Sequence, residues 1–252
     1  MPGLDIYYAA DVCYQARIKE QRPFWYKWLP RYRQYLRDEK AVFALDHSTS
    51  ILVLSDTQQN LYHDTYQTPL SRFHLLPPGI QPFSPLPPKE KNPDEFILLM
   101  VGSGFKTKGL DRTLQALATL NNKARLWVIG QDNPTHFLKL AKKLHIADRV
   151  TFFGGRHDVA RFFLAADLLV HPAYHENTGT VLLEAMQAGL PVLTLDVCGY
   201  AKYIKLANAG IVLPSPFKQE IFNQTLQQML ISPERETWKK KCERFYSNSK
   251  YL

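Results

Sequence analysis

The segment that decides the fold is "HPAYHENTGTVLLEAMQAGLPVL", which runs from His171 to Leu193. It follows an apolar run at 168–172, passes through a short polar loop and an apolar helical stretch, and reaches a second apolar run at 191–195. A strand that leads through a helix into another strand predicts a βαβ unit with parallel strands. The polar loop is therefore expected at the carboxyl end of a strand, where open α/β sheets bind their ligands.

The same alternation of strands and helices extends over the second half of the chain. Short apolar runs predict strands at 96–102, 125–130, 150–154, 168–172, 191–195 and 210–214. Helical periodicity predicts helices near 109–120, 134–145, 158–165, 179–188, 199–207 and 217–230. This pattern predicts an α/β fold with a parallel sheet covered on both faces. We expect residues 95–252 to form a complete nucleotide-binding α/β domain of the Rossmann-like type.

The first half of the chain is organised differently. Seven of the 17 prolines lie between Pro77 and Pro93, a density that neither a helix nor a central strand tolerates. Residues 78–94 are therefore predicted to link two domains. Before them, residues 1–77 predict strands near 5–10, 50–55 and 73–77, with a long helical region in between. So few strands cannot build a doubly wound sheet, and we expect part of a larger N-terminal domain.

Two glutamates flank the predicted ligand-binding loop. Thr178 and Gly179 would open the following helix, whose first amide groups suit a diphosphate. Glu176 precedes this anion site and could reach the hydroxyls of a sugar beside the phosphates. Glu184, about one and a half turns into the helix, could accept hydrogen bonds from a ribose diol. The alternative is that Glu176 caps the helix and Glu184 is a solvated helix residue.

A second loop, in "MVGSGFKTKGLDRTLQAL" (100–117), has a complementary composition. Gly102 and Gly104 allow the backbone to approach a ligand closely. Lys106 and Lys108 could neutralise a departing pyrophosphate. Solvated lysines on an ordinary turn are the alternative, because the loop is neither a Walker A motif nor a G-x-G-x-x-G fingerprint. Two such loops at one edge of a sheet favour the nucleotide-sugar site.

The motifs of these loops resemble those of a known enzyme family. E-N-T-G-T-V-L-L-E, A-M-Q-A-G-L-P-V and V-G-S-G-F-K-T-K-G resemble retaining glycosyltransferases of the GT-B fold, family four. The resemblance covers the whole chain and implies a complete C-terminal Rossmann-like domain with part of an N-terminal one. "MPGLDIYYAADVCY", "LPPGI" and "LDVCGYAKYI" are further similar to family members that build the lipopolysaccharide core. They imply glucose transfer from UDP-glucose to an inner-core heptose, without a cofactor or a metal ion.

The resemblance also implies roles for single residues. Glu176 matches the first glutamate of the family's E-x7-E motif, which contacts the donor hexose at the reaction centre. Glu184 matches the second glutamate, which holds the ribose, and Lys108 matches the lysine that stabilises the UDP leaving group. Asp11 matches a cleft-facing acidic position of the N-terminal domain. The remaining donor-binding positions are Gly102, Ser103, Lys106, Asn177, Thr178 and Gly179.

Two features depart from the family pattern. Ser103 stands where the family usually has arginine, five positions before Lys108, and we expect Lys106 to supply the missing charge. The family's glycine-rich loop that closes over the diphosphate has no match, so the sequence is expected to be truncated at its N terminus. Two alternatives stay open. The chain could be a non-catalytic remnant that binds UDP or membrane only, or a family-four transferase with another donor and acceptor.

A basic aromatic segment predicts a membrane contact within residues 15–44. Between Tyr14 and Ala44, eight bases and three acids leave a net charge of +5, most of the chain's +8. The helical spacing of the aromatic residues predicts one apolar face, which suits a bilayer interface, and Pro30 predicts a kink or a restart of the helix. The predicted membrane-binding residues are Arg17, Lys19, Trp25, Lys27, Trp28, Arg31, Tyr32 and Arg33. The alternative is an aromatic stripe packed on its own domain with solvated charges.

Composition also predicts the compartment and the partners. Three scattered cysteines indicate a reducing compartment, and no signal peptide is visible at the start of the sequence. We expect a cytoplasmic protein, peripheral on the inner face of the inner membrane, that meets a nucleotide sugar and a lipid-linked saccharide acceptor. Nucleic acid is not an expected partner, because no nucleic-acid-binding fold is recognisable. His157 and His171 lack partners at metal-ligand spacing and are expected to be surface or packing residues.

Overall fold

The structure, a computed structural model, describes residues 4–21, 23–83, 86–121 and 123–248. It divides into two compact units, one that ends at Pro78 and one that begins at Gly79. The first unit contains the strands β1 (Ile6–Tyr8), β2 (Ser50–Val53) and β3 (Phe73–Leu75). Its helices are α1 (Tyr14–Gln21), α2 (Pro30–Phe43) and α3 (Asp56–Tyr66).

The first unit is built on a parallel sheet in the order β1-β2-β3. Ile51 of β2 lies opposite Phe73 of β3, and both side chains belong to the buried cluster beneath α2 and α3. Within that cluster the ring of Phe43 stacks on the ring of Tyr62, with centroids 3.7 Å apart. On the opposite face of β1, Ile6 is exposed. The predicted strands of this unit are all present.

The predicted helical region 15–44 is interrupted, and the kink or restart expected at Pro30 is a restart. It consists of α1, a 3-10 helix at Phe24–Trp28, and α2. Leu29 has an extended backbone, and Pro30 begins α2. Proline lacks a backbone N–H and disfavours the helical conformation in the residue before it, so the helix restarts at this point. Within the described ranges, no helix has the length and apolar character needed to cross a bilayer.

The second unit contains six strands and seven helices within the described residues. The strands are β4 (Phe96–Val101), β5 (Ala124–Ile129), β6 (Val150–Phe152), β7 (Leu168–His171), β8 (Val192–Leu195) and β9 (Gly210–Leu213). The helices are α4 (Leu110–Ala118), α5 (Thr135–Lys143), α6 (Val159–Ala165), α7 (Thr180–Gln187), α8 (Ala201–Ala207), α9 (Gln219–Ile231) and α10 (Arg235–Asn248). All elements but α10 were predicted, with their bounds within two residues.

The strand order positions the ligand site. All six strands are parallel and lie in the order β6-β5-β4-β7-β8-β9. Successive strands are added to one side of β4 as far as β6, and those from β7 onward are added to its other side. This reversal of strand order opens a crevice at the carboxyl ends of the two central strands, and nucleotides bind there. The loops that follow Val101 and His171 are the two loops of that crevice.

The core explains why the strands of this unit read as continuous apolar runs. Ile97 and Leu99 of β4 belong to one buried cluster, whereas Leu98 and Met100 belong to the cluster on the other face. All four side chains are at most 1% exposed. A strand buried on both faces has no polar side to show, and its sequence therefore does not alternate.

The proline-rich segment predicted as a linker packs along the second unit. No helix or strand is present between Leu76 and Glu95 in the part of it that the structure describes. The amide of Lys89 donates to the carbonyl of Arg161 at 2.9 Å, and Lys91 Nζ lies 2.7 Å from a carboxylate oxygen of Asp167. This stretch is therefore fixed to the unit that follows it.

Candidate active site

The loops after β4 and β7 meet at the switch point. The amide of Tyr174 donates to the carbonyl of Thr107 at 2.8 Å. Gly109 has a φ of +79°, and a Cβ at this position would collide with the carbonyl oxygen of Pro172. Only glycine permits both this backbone conformation and this close approach. The contact brings Lys108 against Glu176, and Lys108 Nζ donates to Glu176 Oε2.

The Lys108–Glu176 pair is shielded from water. The side chains of Lys108 and Glu176 are 22% and 11% exposed. Burial acts to raise the pKa of the Glu176 carboxyl, but a hydrogen bond and charge from His171, followed by those of Lys108, outweigh it and lower the pKa to about 2. Glu176 is therefore ionised at neutral pH. It can accept hydrogen bonds from sugar hydroxyls, and it cannot act as a general acid.

His171 is a buried neighbour of Glu176 that the sequence analysis did not place at the site. We expected a surface or packing role, but its fully buried ring places Nε2 3.1 Å from Glu176 Oε2. The available signal was a polar residue at the end of the apolar run "LLVH", five positions before Glu176. His157, by contrast, is exposed, as expected for a surface residue.

Glu184 faces a cavity at the start of α7. Gly179 adopts the left-handed conformation and caps this helix, which begins at Thr180. Burial raises the pKa of the Glu184 carboxyl. The cavity has a volume of about 560 Å³. Its lining residues are Gly79, Ile80, Gln81, Pro82, Phe83, Leu86, Val101, His157, Val159, Ala160, Phe163, Thr180 and Glu184. A half-buried carboxylate at a largely apolar cavity can accept hydrogen bonds from the hydroxyls of a nucleoside.

Backbone hydrogen bonds hold the loop after β7 (172–179, the acid loop), which contacts the loop after β4 (102–109, the lysine loop). The amide of Gly199 donates to the carbonyl of Glu176 at 3.2 Å, and the amide of Tyr200 donates to the carbonyl of Thr178 at 2.8 Å. Asn177 and Thr178 are half-buried in this loop, and their donor-binding role stays a prediction. The turn before α8 therefore fixes the position of Glu176. This turn follows Glu176 in the sequence, whereas the loop of Lys108 precedes it.

The other donor-binding residues predicted in the lysine loop have different surroundings. Gly102 lies beside the side chain of Lys108, with a φ of +136°. The exposed Ser103 accepts a hydrogen bond from the amide of Gln131 at 3.2 Å. Lys106 Nζ contacts Asp111 Oδ2 at 2.6 Å and the Tyr174 hydroxyl at 3.2 Å. Lys106 is thus paired with Asp111 and Tyr174, and its role as a substitute for the family's arginine stays a prediction.

Arg112 also escaped the motif analysis. Its guanidinium lies between two rings, 3.5 Å from the centroid of Tyr174 and 3.9 Å from that of Phe217. It donates to the carbonyls of Pro172 and Ala173 at 3.0 and 3.1 Å. Arg112 therefore fixes the start of the acid loop. Nothing in the local spacing of the sequence indicates this role, because its partners lie 60 or more positions away.

Asp11 lies in the first unit, apart from this constellation in the chain. Its side chain is exposed, and its carbonyl accepts hydrogen bonds from Gln58 Nε2 at 2.8 Å and from the Tyr62 hydroxyl at 3.2 Å. The backbone at Asp11 is thus well anchored. The catalytic role that the family resemblance implies for this carboxylate stays a prediction.

The basic aromatic segment presents most of its predicted side chains to solvent. Trp25 and Trp28 of the 3-10 helix are 51% and 69% exposed. The exposed bases are Arg17, Lys19, Lys27, Arg31 and Arg33. Tyr32 is a correction: it is 8% exposed and packs against Tyr14 and Tyr26, with ring centroids 6.0 and 6.2 Å away. Because the helix restarts at Pro30, Tyr32 turns inward and does not continue the tryptophan face.

The described residues contain no cluster of three or more His, Cys, Asp or Glu side chains that could hold a metal ion. The expectation of transfer without a metal or cofactor stays a prediction. The positive charge in the crevice comes from Lys108 and from the amides that begin α7.

Comparison with known proteins identifies the family. The family described as Glycosyl transferases group 1 matches residues 86–251. The chain is 45% identical, over its whole length, to the lipopolysaccharide glucosyltransferase WaaG of Escherichia coli (strain K12), and covers 72% of that protein. A crystal structure of WaaG, a glycosyltransferase involved in lipopolysaccharide biosynthesis, matches with a TM-score of 0.92 and 43% identity, again over 100% of this chain and 72% of the other.

A more distant likeness agrees with the fold. Anabaena Alr3699/HepE, solved in complex with UDP and glucose, matches with a TM-score of 0.73 at 16% identity, over 96% of this chain and 66% of that one. These matches confirm the α/β fold of the GT-B type that the sequence motifs predicted. Because the family matches about two thirds of this chain's residues and WaaG is similar over the whole length of this chain, the chain belongs to the glycosyl transferases group 1 family.

Proposed function

We propose that this protein is a retaining hexosyltransferase that moves glucose from UDP-glucose to an inner-core heptose of lipopolysaccharide, at the cytoplasmic face of the inner membrane. The observation that carries the proposal is the Lys108–Glu176 pair at the switch point of the second unit. In this pair, the Lys108 ammonium can stabilise a leaving diphosphate, and the Glu176 carboxylate can accept hydrogen bonds from the hydroxyls of a sugar. Similarity to a lipopolysaccharide glucosyltransferase supports the choice of hexose and acceptor.

The donor would lie along the crevice from Glu176 to Glu184. Its diphosphate would meet Lys108 and the first amides of α7. Glu184 would accept hydrogen bonds from the ribose diol, and the uracil ring would enter the cavity of about 560 Å³ beside it. Phe83 and Phe163 give this cavity an apolar wall, with ring centroids 5.7 Å apart. A small number of polar groups in an apolar pocket is typical of nucleoside sites.

The chemistry follows from this placement. The acceptor hydroxyl attacks the anomeric carbon on the face from which UDP departs, so the new bond keeps the configuration of the old one. As the bond to the acceptor oxygen forms, the bond to the phosphate oxygen breaks, and the departing phosphate takes the acceptor's proton. Lys108 and the amides of α7 stabilise the charge that develops on the diphosphate. Neither a covalent nucleophile nor a metal ion is needed for these steps.

Calorimetric titration with UDP, UDP-glucose and UDP-galactose tests the donor, and transfer to core lipopolysaccharide that lacks its first glucose tests the reaction. We expect UDP-glucose to bind more tightly than UDP-galactose and to be consumed with the acceptor. Binding of UDP without any transfer would favour a non-catalytic protein. Tighter binding of another nucleotide sugar would contradict the assignment of the donor.

Replacing Glu184 by alanine should weaken UDP binding by about 10- to 100-fold, because a hydrogen bond to a charged group contributes about 1.5–3 kcal/mol. Calorimetry measures the change. The matched control is Glu220→Ala, which removes an exposed glutamate from α9. Unchanged UDP affinity in the Glu184 variant would refute its contact with the ribose.

We also propose that the exposed bases and tryptophans of the first unit bind an anionic membrane surface. Trp25 and Trp28 project from a short 3-10 helix, and Lys27 lies between them. Tryptophan rings favour the interface of a bilayer, and each lysine or arginine near an anionic surface contributes about 1 kcal/mol. A protein held there would meet a lipid-linked saccharide acceptor.

Replacing Lys27, Arg31 and Arg33 together by glutamine should lower partition onto anionic vesicles by about 10²-fold. Flotation with phosphatidylglycerol vesicles measures it, and phosphatidylcholine vesicles give the baseline. The matched control replaces three exposed lysines of α5, namely Lys139, Lys142 and Lys143. Equal losses in both triple variants, or binding to an oligonucleotide but not to the vesicles, would contradict the proposed surface.

A further inference from the structure

His171 lies beneath Glu176, at the end of the central strand β7. Its side chain has no exposed surface, and its Nε2 is 3.1 Å from Glu176 Oε2. Its other ring nitrogen, Nδ1, is buried without a hydrogen-bond partner among the described residues. A buried polar atom of this kind calls for an explanation, since the great majority are satisfied.

The arrangement decides which ring nitrogen carries the proton. A neutral imidazole has one donor and one acceptor nitrogen, and an ionised carboxylate only accepts. Whether the ring is neutral or protonated, a proton on Nε2 gives Glu176 Oε2 a donor, and in the neutral ring it leaves only a lone pair unsatisfied at Nδ1. A proton on Nδ1 would bury an unpaired N–H and turn a lone pair towards the carboxylate. His171 thus donates from Nε2.

The sheet holds this donor rigidly. His171 pairs with Thr194 in the ladder between β7 and β8, and Thr194 Oγ1 donates to the carbonyl of His171 at 3.0 Å. Lys108, by contrast, reaches Glu176 from a loop, through a long side chain with several rotatable bonds. The bonds from Lys108 and His171 both end on Oε2, so Oε1 takes part in neither of them.

We propose that His171 is a positioning residue that keeps the Glu176 carboxylate in place while Lys108 turns to the leaving diphosphate. This inference rests on the proposed function. One ammonium cannot keep its contact with Glu176 and at the same time neutralise a departing phosphate at full strength. The imidazole stays behind as the fixed donor to Oε2 and presents Oε1 to the donor hexose.

The test compares His171→Leu with His171→Gln. Leucine keeps apolar packing but removes the donor, whereas the glutamine amide can donate to Glu176 Oε2. We expect His171→Leu to lower kcat for transfer by about 10- to 100-fold with the affinity for UDP unchanged, and His171→Gln to recover most of the rate. A packing role predicts the opposite order, with leucine tolerated better than glutamine, and that result would overturn the proposal.

Two further readouts separate this inference from the proposed function and from failures of folding. The ¹⁵N spectrum of the wild-type imidazole, assigned by its absence in His171→Gln, should show a proton on Nε2, and a proton on Nδ1 alone would overturn the proposal. Calorimetry should show that His171→Leu weakens UDP-glucose binding about tenfold but leaves UDP binding unchanged. These two results can hold in a protein that transfers nothing, whereas equal effects on both ligands would contradict the positioning role.

Discussion

Replacing Lys108 by methionine should lower the rate of hexosyl transfer by about 10²–10³-fold, the usual cost of removing a preorganised group that stabilises charge in a transition state. Methionine keeps much of the length and the apolar stem of lysine, so the loop should keep its packing. The charge on the diphosphate grows as the bond to the sugar breaks, and the ammonium therefore acts more on the rate than on substrate binding. Steady-state kinetics with UDP-glucose measure kcat, and calorimetry measures UDP affinity.

Lys106→Met is the matched control, because it removes a second lysine from the same loop. Lys106 is 65% exposed and pairs with Asp111, so its loss should lower the rate far less. A larger loss in Lys106→Met than in Lys108→Met would assign the leaving group to Lys106. It would also explain how the enzyme works with Ser103 in place of the family's arginine. An unchanged rate in the Lys108 variant would contradict the proposed mechanism.

Replacing Gly109 by alanine should lower the free energy of unfolding by about 2–5 kcal/mol. The left-handed backbone at this residue costs a non-glycine residue about 1–2 kcal/mol, and the collision of the new Cβ with the Pro172 carbonyl adds about 1–3 kcal/mol. Relief of that collision moves the lysine loop away from the acid loop and separates Lys108 from Glu176. We therefore expect transfer to fall even at temperatures where the variant is fully folded. Urea unfolding measures the stability.

Gly154→Ala isolates the collision from the strain of the backbone. Gly154 has a φ of +68°, and no heavy atom lies within 4 Å of the position of its Cβ. This control should lose only the left-handed contribution, about 1–2 kcal/mol, and keep its activity. Equal losses of stability in the two variants would show that the two loops do not depend on the contact between Gly109 and Pro172.

The strands of the second unit could be predicted from the sequence because burial on both faces makes each of them a continuous apolar run. Ile97, Leu98, Leu99 and Met100 form one apolar run, and the turns on either side delimit it. The helical spacing in the basic segment was less reliable. The spacing placed Trp28 and Tyr32 on one apolar face. Pro30 restarts the helix between them, and the side chain of Tyr32 therefore points inward.

The candidate site was predictable where a residue's role depends on its distance from a strand end. Glu176, Glu184 and Lys108 follow directly from the positions of β4 and β7. His171 and Arg112 were missed because their partners are set by the way that two distant loops pack together. The local sequence carries no period or spacing for such contacts, and only the assembled crevice reveals them.

The division of the chain at Gly79 has a consequence for how such enzymes diversify. Lys108, Glu176, Glu184 and the cavity beside them are all encoded downstream of that point. A single recombination event in the proline-rich stretch would carry the proposed donor site to a new partner sequence. New glycans could then arise by exchange of the gene segment for the first unit, while the residues proposed to stabilise the leaving nucleotide stay unchanged in the second unit.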